Sequence, residues 1–110
     1  MPTMTARVSV PAAGKIDNVL SGKTYEFLPF DAVAEFGLVA SAPGLMATVI
    51  SGSDVLQDDQ EISAANRMPV YPDDFILNDV VAEGERLVVS LRNTTAAAIT
   101  AYVVVKITPL

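Results

Sequence analysis

Three short stretches and three dispersed lysines carry the side chains that could do chemistry. Asp58, Asp59 and Glu61 cluster three carboxylates within four positions, the kind of oxygen-rich set a hard cation such as calcium takes. No glycine stands where a calcium loop must turn, and the D-x-D-x-D-G spacing is absent; the stretch reads as a solvated acidic loop. Asp73 and Asp74 follow Tyr71-Pro72 and suggest the acid pair of a glycosidase. Neighbours on an extended segment point opposite ways, so these two cannot flank one bond. Lys15, Lys23 and Lys106 could each activate a serine, but no spacing singles one out and no G-x-S-x-G elbow occurs. Asn93-Thr94-Thr95 matches a glycosylation sequon, here read as turn chemistry.

What is missing narrows the field further. The chain has no His and no Cys, which removes the commonest general base and metal ligand and also disulfides and zinc-thiolate sites. Gly37, Gly44 and Gly52 are too dispersed for a phosphate-binding loop. No catalytic, metal-binding or cofactor-binding residue is therefore assigned, and the expectation is a protein that is not an enzyme. The formal net charge is −6, and the basic residues Arg7, Lys15, Lys23, Arg67, Arg86, Arg92 and Lys106 are scattered. A phosphate backbone or an anionic membrane would repel such a chain, so neither nucleic acid nor membrane is an expected partner. The opening MPTMTARVSV lacks the basic and apolar regions of a secretory signal. The longest apolar stretch, near Ala96–Val105, is about half a membrane span. Synthesis in a cytoplasm is the expectation.

The elements that must position these residues follow a period of two. At 110 residues the chain is expected to form one domain, residues 1–110. Strands are expected at Thr5–Val10, Ile16–Leu20, Thr24–Phe30, Val33–Ala40, Leu45–Ile50, Asp54–Gln57, Phe75–Val81, Arg86–Arg92 and Ala98–Thr108. Turn signals such as Ser41-Ala42-Pro43-Gly44 and Ser51-Gly52-Ser53 separate them. Residues 58–74 are dense in charge, hold two prolines and lose the period; they read as the longest irregular connection, with a helical turn near Ala64–Arg67. No apolar stripe of helical spacing runs for three turns. The pattern is that of an all-β, antiparallel β-sandwich, jelly-roll-like, with an immunoglobulin-like sandwich as the alternative.

The last two strands, Arg86–Arg92 and Ala98–Thr108, read as a hairpin around Asn93–Ala97 and are apolar on both faces. Leu87, Val89 and Leu91, with Ile99, Ala101, Val103, Val105 and Ile107, form one face and belong to the core. The opposite face carries Val88, Tyr102 and Val104 at its centre and Arg86, Arg92 and Lys106 at its rim. An apolar centre with a charged rim is the composition of a subunit interface. With hydrophobic residues at 51% and charged ones at 18% of the chain, against about 25% charged in an average domain, self-association is expected. The segment Pro2–Val10 is either the first strand of its own sheet or, within residues 1–13, an N-terminal arm that adds a strand to a neighbour.

The chain resembles the small β-sandwich virion proteins of tailed bacteriophages, the capsid decoration or cement type. The resemblance lies in GKIDNVLSGKTYEFLPF, SGSDVL, ANRMPVYPDDFILNDVVAEGERLVVSLRNTT and ITAYVVVKITPL. It is a likeness of style across nearly the whole chain, without a diagnostic motif. It implies a virion protein on the capsid exterior, a homotrimer at local threefold positions, with the major capsid protein as partner. The expected contacts are Thr3, Met4, Thr5 and Arg7 of the arm, and Asp58, Asp59 and Glu61 against a basic capsid surface. Two alternatives stand beside it. One is a vertex spike, head-fibre or tail component. The other is a carbohydrate-binding sandwich for host attachment, for which Tyr25, Tyr71 and Tyr102 are few and scattered.

Overall fold

A computed structural model describes residues 3–65, 67–69, 74–75 and 77–110. Nine strands are present among them: β1 (Thr3–Val10), β2 (Lys15–Ile16), β3 (Ala32–Ala40), β4 (Leu45–Ser51), β5 (Asp54–Glu61), β6 (Ser63–Ala64), β7 (Leu77–Val81), β8 (Leu87–Asn93) and β9 (Ile99–Pro109). No helix occurs among the described residues; of the turn expected near Ala64–Arg67, Ala64 is in strand β6, Ala65 and Arg67 are not helical, and Asn66 lies outside the described residues.

The strand pairing is that of a jelly roll. Antiparallel pairs nest along the chain: β1 with β9, β2 with β8, β3 with β7, β4 with β5. This is one long ribbon folded back at the β4–β5 turn. The ribbon then rolls up, because β9 also pairs with β3 and β8 with β4. The first sheet thus has the order β1-β9-β3, with β7 and a two-residue parallel β6 on the far edge of β3. The second has the order β2-β8-β4-β5. The sandwich expected from the alternation is present, in its jelly-roll form rather than the immunoglobulin one.

Alternation explains the core. On β9, Ile99, Ala101, Val103, Val105 and Ile107 are buried; on β8, Leu87, Val89 and Leu91; on β4, Leu45, Ala47 and Val49; on β3, Ala34, Phe36 and Leu38. These rows face each other between the sheets. Each fully buried Val, Leu, Ile or Phe contributes roughly 1.5–3 kcal/mol relative to exposure.

Three expectations fail for identifiable reasons. The C-terminal strands are not a hairpin: β8 belongs to the second sheet and β9 to the first. Asn93 turns the chain across the sandwich. Its Nδ2 donates to the carbonyls of Val10 and Ala97, and its Oδ1 accepts from the N–H and hydroxyl of Thr95. The sequon is therefore turn chemistry, with the amide consumed. Second, Ile16–Leu20 and Thr24–Phe30 are mostly turns. They nevertheless close the outer edge of β8. Val19 N donates to Val89 O, Leu87 N donates to Glu26 O, and Asn18 bonds both Leu87 O and Val89 N with its side chain. Side-chain groups replace a strand's backbone there, which alternation alone does not reveal. Third, the acidic loop begins late, because β5 runs on to Glu61.

The second face of β3 has its own cover. Val39 points away from the core yet is fully buried. Gly37, on the same side, lies under Pro69 and Phe75: a Cβ at that position would sit 2.8 Å from one and 2.7 Å from the other. Pro69 and Phe75 therefore lie against the outside of the first sheet, and the outer side of β3 is covered at this point within one chain.

Candidate interaction faces

The six residues expected to form one interface divide between opposite sides of the molecule. Arg86, Val88 and Arg92 lie along the β8 segment of the second sheet, and Tyr102, Val104 and Lys106 on β9 of the first. The expectation of a single patch is corrected: it assumed a hairpin, and the Asn93 turn changes sheets instead. Tyr102 is only 8% exposed, with the Arg7 guanidinium stacked 5.5 Å from its ring centroid. Its row in the sheet is Arg7, Tyr102, Val39, so most of its surface is already used.

The outer face of the second sheet is different. Strand register places Val88 beside Ile50 and Ile50 beside Val55, while Phe27 bridges to Arg86 one row along. Phe27 is 57% and Val55 58% exposed, and Val88 and Ile50 are half-buried. The result is a continuous strip of Phe27, Val88, Ile50 and Val55 around one arginine. Arg86 is fixed from beneath. Its Nε donates to Glu26 Oε2 at 2.6 Å and its guanidinium stands 5.8 Å from the Phe27 ring centroid.

Glu26 and Asn18, which the sequence reading passed over, hold this corner together. Glu26 is buried, although charged. Its Oε1 accepts from Gly22 N, and Oε2 accepts from Asn18 Nδ2 as well as Arg86. The Gly22 N–H and the Arg86 guanidinium hold its carboxyl below the usual range, against the opposing effect of burial. Buried charges persist when paired and hydrogen-bonded in this way. The signal available in the sequence was a lone Glu between Tyr25 and Phe27, within an otherwise apolar stretch.

Arg92 is committed elsewhere. It forks onto Asp59, Nη2 to Oδ2 at 2.6 Å and Nε to Oδ1 at 3.1 Å. The pairing holds the Asp59 carboxyl low and the Arg92 guanidinium high. Together with Lys15, Asp17, Met46 and Thr48 they line a shallow hollow of about 220 Å³ on this face. Since Asp59 neutralises Arg92, the hollow has no strong anion-binding character.

The expected capsid-contact residues also separate. Thr3, Thr5 and Arg7 are exposed on β1, but Met4 points inward and is 5% exposed, so it is a core residue and not a contact. The segment is an edge strand paired with β9 along its length rather than an arm. Asp58 is exposed, Asp59 is paired with Arg92, and Glu61 accepts from Gly44 N. Among the described residues no group of carboxylates could hold a metal ion. Asp73 and Tyr71 lie outside the described residues; Asp74 pairs with Arg67.

Comparison with known proteins returns no match: no family model, no curated protein and no solved structure matches the chain.

Proposed function

We propose that this chain is a non-enzymatic structural protein of a tailed-phage virion, a decoration protein that docks on the outer surface of the capsid and stabilises the shell. The observation that carries the reading is the Phe27–Arg86–Val88–Ile50–Val55 strip. It lies on the outer face of the second sheet and combines an aromatic, an arginine and aliphatic side chains, the composition of interface anchors. The two arginines of this face are spent on internal pairs, Arg86 with Glu26 and Arg92 with Asp59, rather than gathered around a cleft. The resemblance in GKIDNVLSGKTYEFLPF and its companion segments supplies the class of partner, the major capsid protein. Stabilisation would follow from linkage: a protein that binds only the assembled shell adds its binding free energy to that shell, and many copies multiply the effect.

The test is made on particles of the phage that encodes the chain. Quantitative mass spectrometry is expected to find hundreds of copies per particle, and heads stripped of the protein are expected to rupture at lower temperature until it is added back. Val55→Glu, which places a carboxylate at the exposed end of the strip, is expected to weaken rebinding at least tenfold while changing the fold's stability by no more than about 0.5 kcal/mol. Tens of copies would point to a spike or tail component, and absence from particles would end the virion reading.

A further inference from the structure

The four sheet edges of the sandwich are not equivalent. The outer edge of β8 is closed by Asn18, Val19 and Glu26. β5 carries Asp54, Asp58, Asp59 and Glu61, shifts register twice against β4, and has Asp59 at a φ of 51°. Charge and bulges of this kind are how edges are kept from pairing. β7 is short, with Asp79 at its centre. β1 has none of these protections. It is eight residues long, holds an unbroken register with β9, and contains one charge and no internal proline. That one charge, Arg7, leans back over Tyr102.

The backbone of β1 can be oriented from its neighbours. Ser41 N donates to Thr100 O and Thr100 N donates to Ser41 Oγ, so Thr100 turns both backbone groups toward the β3 side. Backbone groups alternate sides along a strand. Ala101, Val103 and Val105 therefore bond toward β1, where they face Val8, Ala6 and Met4. It follows that Thr3, Thr5, Arg7 and Ser9 turn their N–H and C=O groups to the open edge, and all four are exposed.

We propose that β1 pairs antiparallel with β1 of a second copy about a two-fold axis at Ala6, joining the two first sheets into one. In this register Thr5 lies opposite the second copy's Arg7 and Thr3 opposite its Ser9, so every outward backbone group is used. Shifting the axis to Arg7 would set like charges opposite each other, which is unfavourable. An odd shift would oppose outward groups to inward ones and turn each apolar side chain to the wrong face. In the chosen register Met4 meets Val8 and Ala6 meets Ala6, which makes the two cores continuous. Such an interface is isologous and closed. It does not depend on the virion reading and leaves the Phe27–Val55 strip free.

The experiment is light scattering of the purified full chain over a dilution series, expected to show twice the 11.6 kDa chain mass at high concentration. Thr5→Pro removes an edge donor without touching a β1–β9 bond and is expected to give monomer with an unchanged far-UV spectrum. Thr5→Arg, opposite Arg7, is expected to weaken the dimer roughly tenfold, and Thr5→Glu to tighten it by a similar factor. The chain has no cysteine, so Ala6→Cys reports the axis directly. Non-hydrogen-bonded partners stand about 4.5 Å apart between Cα atoms, within the roughly 4.4–6.8 Å a disulfide spans. Oxidation is expected to yield a covalent dimer, whereas Ser9→Cys is expected to yield none. A monomer at all concentrations, a trimer indifferent to the Thr5 substitutions, or an Ala6→Cys chain that stays uncrosslinked would each overturn the pairing. Particle binding is read separately, so its success or failure is independent of these outcomes.

Discussion

At the scale of single residues, the most consequential side chain is one that a scan for chemistry passes over. Glu26 is a carboxylate in a buried position, and its partners are all within one corner: Gly22 N, Asn18 Nδ2 and Arg86 Nε. A functional reading of such a group would look for a reaction, but each oxygen is already engaged by a donor. Its role is to anchor Arg86 and, through Asn18, to finish the edge of β8. The depressed carboxyl pKa has a definite consequence for stability. Because the folded value lies below the ordinary one near 4.5, the folded state resists protonation more than the unfolded state does. The contribution is complete above the unfolded value and is lost as pH falls through the folded one. Glu26→Gln is thus expected to lower the thermal midpoint at pH 7, with the variant and parent curves converging in acid. Thermal melts from pH 3 to pH 7 measure this, and a difference independent of pH would show that the carboxylate charge is not what matters.

Elements were legible in the sequence wherever alternation was the only force at work. β1, β3, β4, β8 and β9 lie close to where period two put them, because each buries one row against the opposite sheet. Three elements were not legible. The region 17–30 completes an edge with Asn18 and Glu26 side chains rather than with a strand, so its backbone has no reason to alternate. The Asn93 turn was read as a hairpin because sequence proximity gives no sign of which sheet the next strand joins; that error is what fused Val88 with Tyr102 into one face. β3 is apolar on both sides, which alternation alone does not explain; Pro69 and Phe75 of the same chain pack over its second side at Gly37. Gly37 is the residue that permits this close approach. In a strand interior a glycine is ordinarily replaceable with a gain of about 0.5–1 kcal/mol, but here a side chain meets Pro69 and Phe75 below 3 Å. Gly37→Val is expected to lose about 1–3 kcal/mol by overpacking, measured by urea unfolding. It should also raise protease cleavage near Pro69 and Phe75, since both have to move off the sheet. A neutral or stabilising outcome would mean that these two residues do not depend on the sheet beneath them.

On the scale of the whole molecule, the acidic charge is unevenly placed between the two open sides of the sandwich. The β1 side presents Thr3, Thr5, Arg7 and Ser9, with Lys15 on the neighbouring sheet. The β5–β7 side presents Asp54, Asp58, Glu61 and Asp79, with Glu85 beside Gly52. One side is therefore suited to pairing and the other opposes it, a distribution that favours closed association over open chains. The acidic side carries a cost within the fold itself. Asp54 begins β5 at the edge of the second sheet, Asp79 lies in β7 at the edge of the first, and the two carboxyls meet across the gap, with Glu85 adding a third negative charge. The hydrogen bond and repulsion from Asp79, then burial, then Glu85 push the Asp54 carboxyl above its ordinary value. The sign is opposite to that of Glu26: the folded state holds a proton more readily than the unfolded one. This contribution is complete below the unfolded value near 3.8 and is lost as pH rises through the folded one. Asp54→Asn keeps a group able to hydrogen-bond Asp79 and removes one charge. It is expected to raise the thermal midpoint at pH 7, and to leave it unchanged where Asp54 is already protonated. Read beside Glu26→Gln, the two variants should diverge from the parent in opposite directions at neutral pH and meet it again in acid. If Asp54→Asn instead destabilises the protein at pH 7, the carboxylate pair holds the two sheets together rather than pressing them apart, and the β5–β7 side is a clasp.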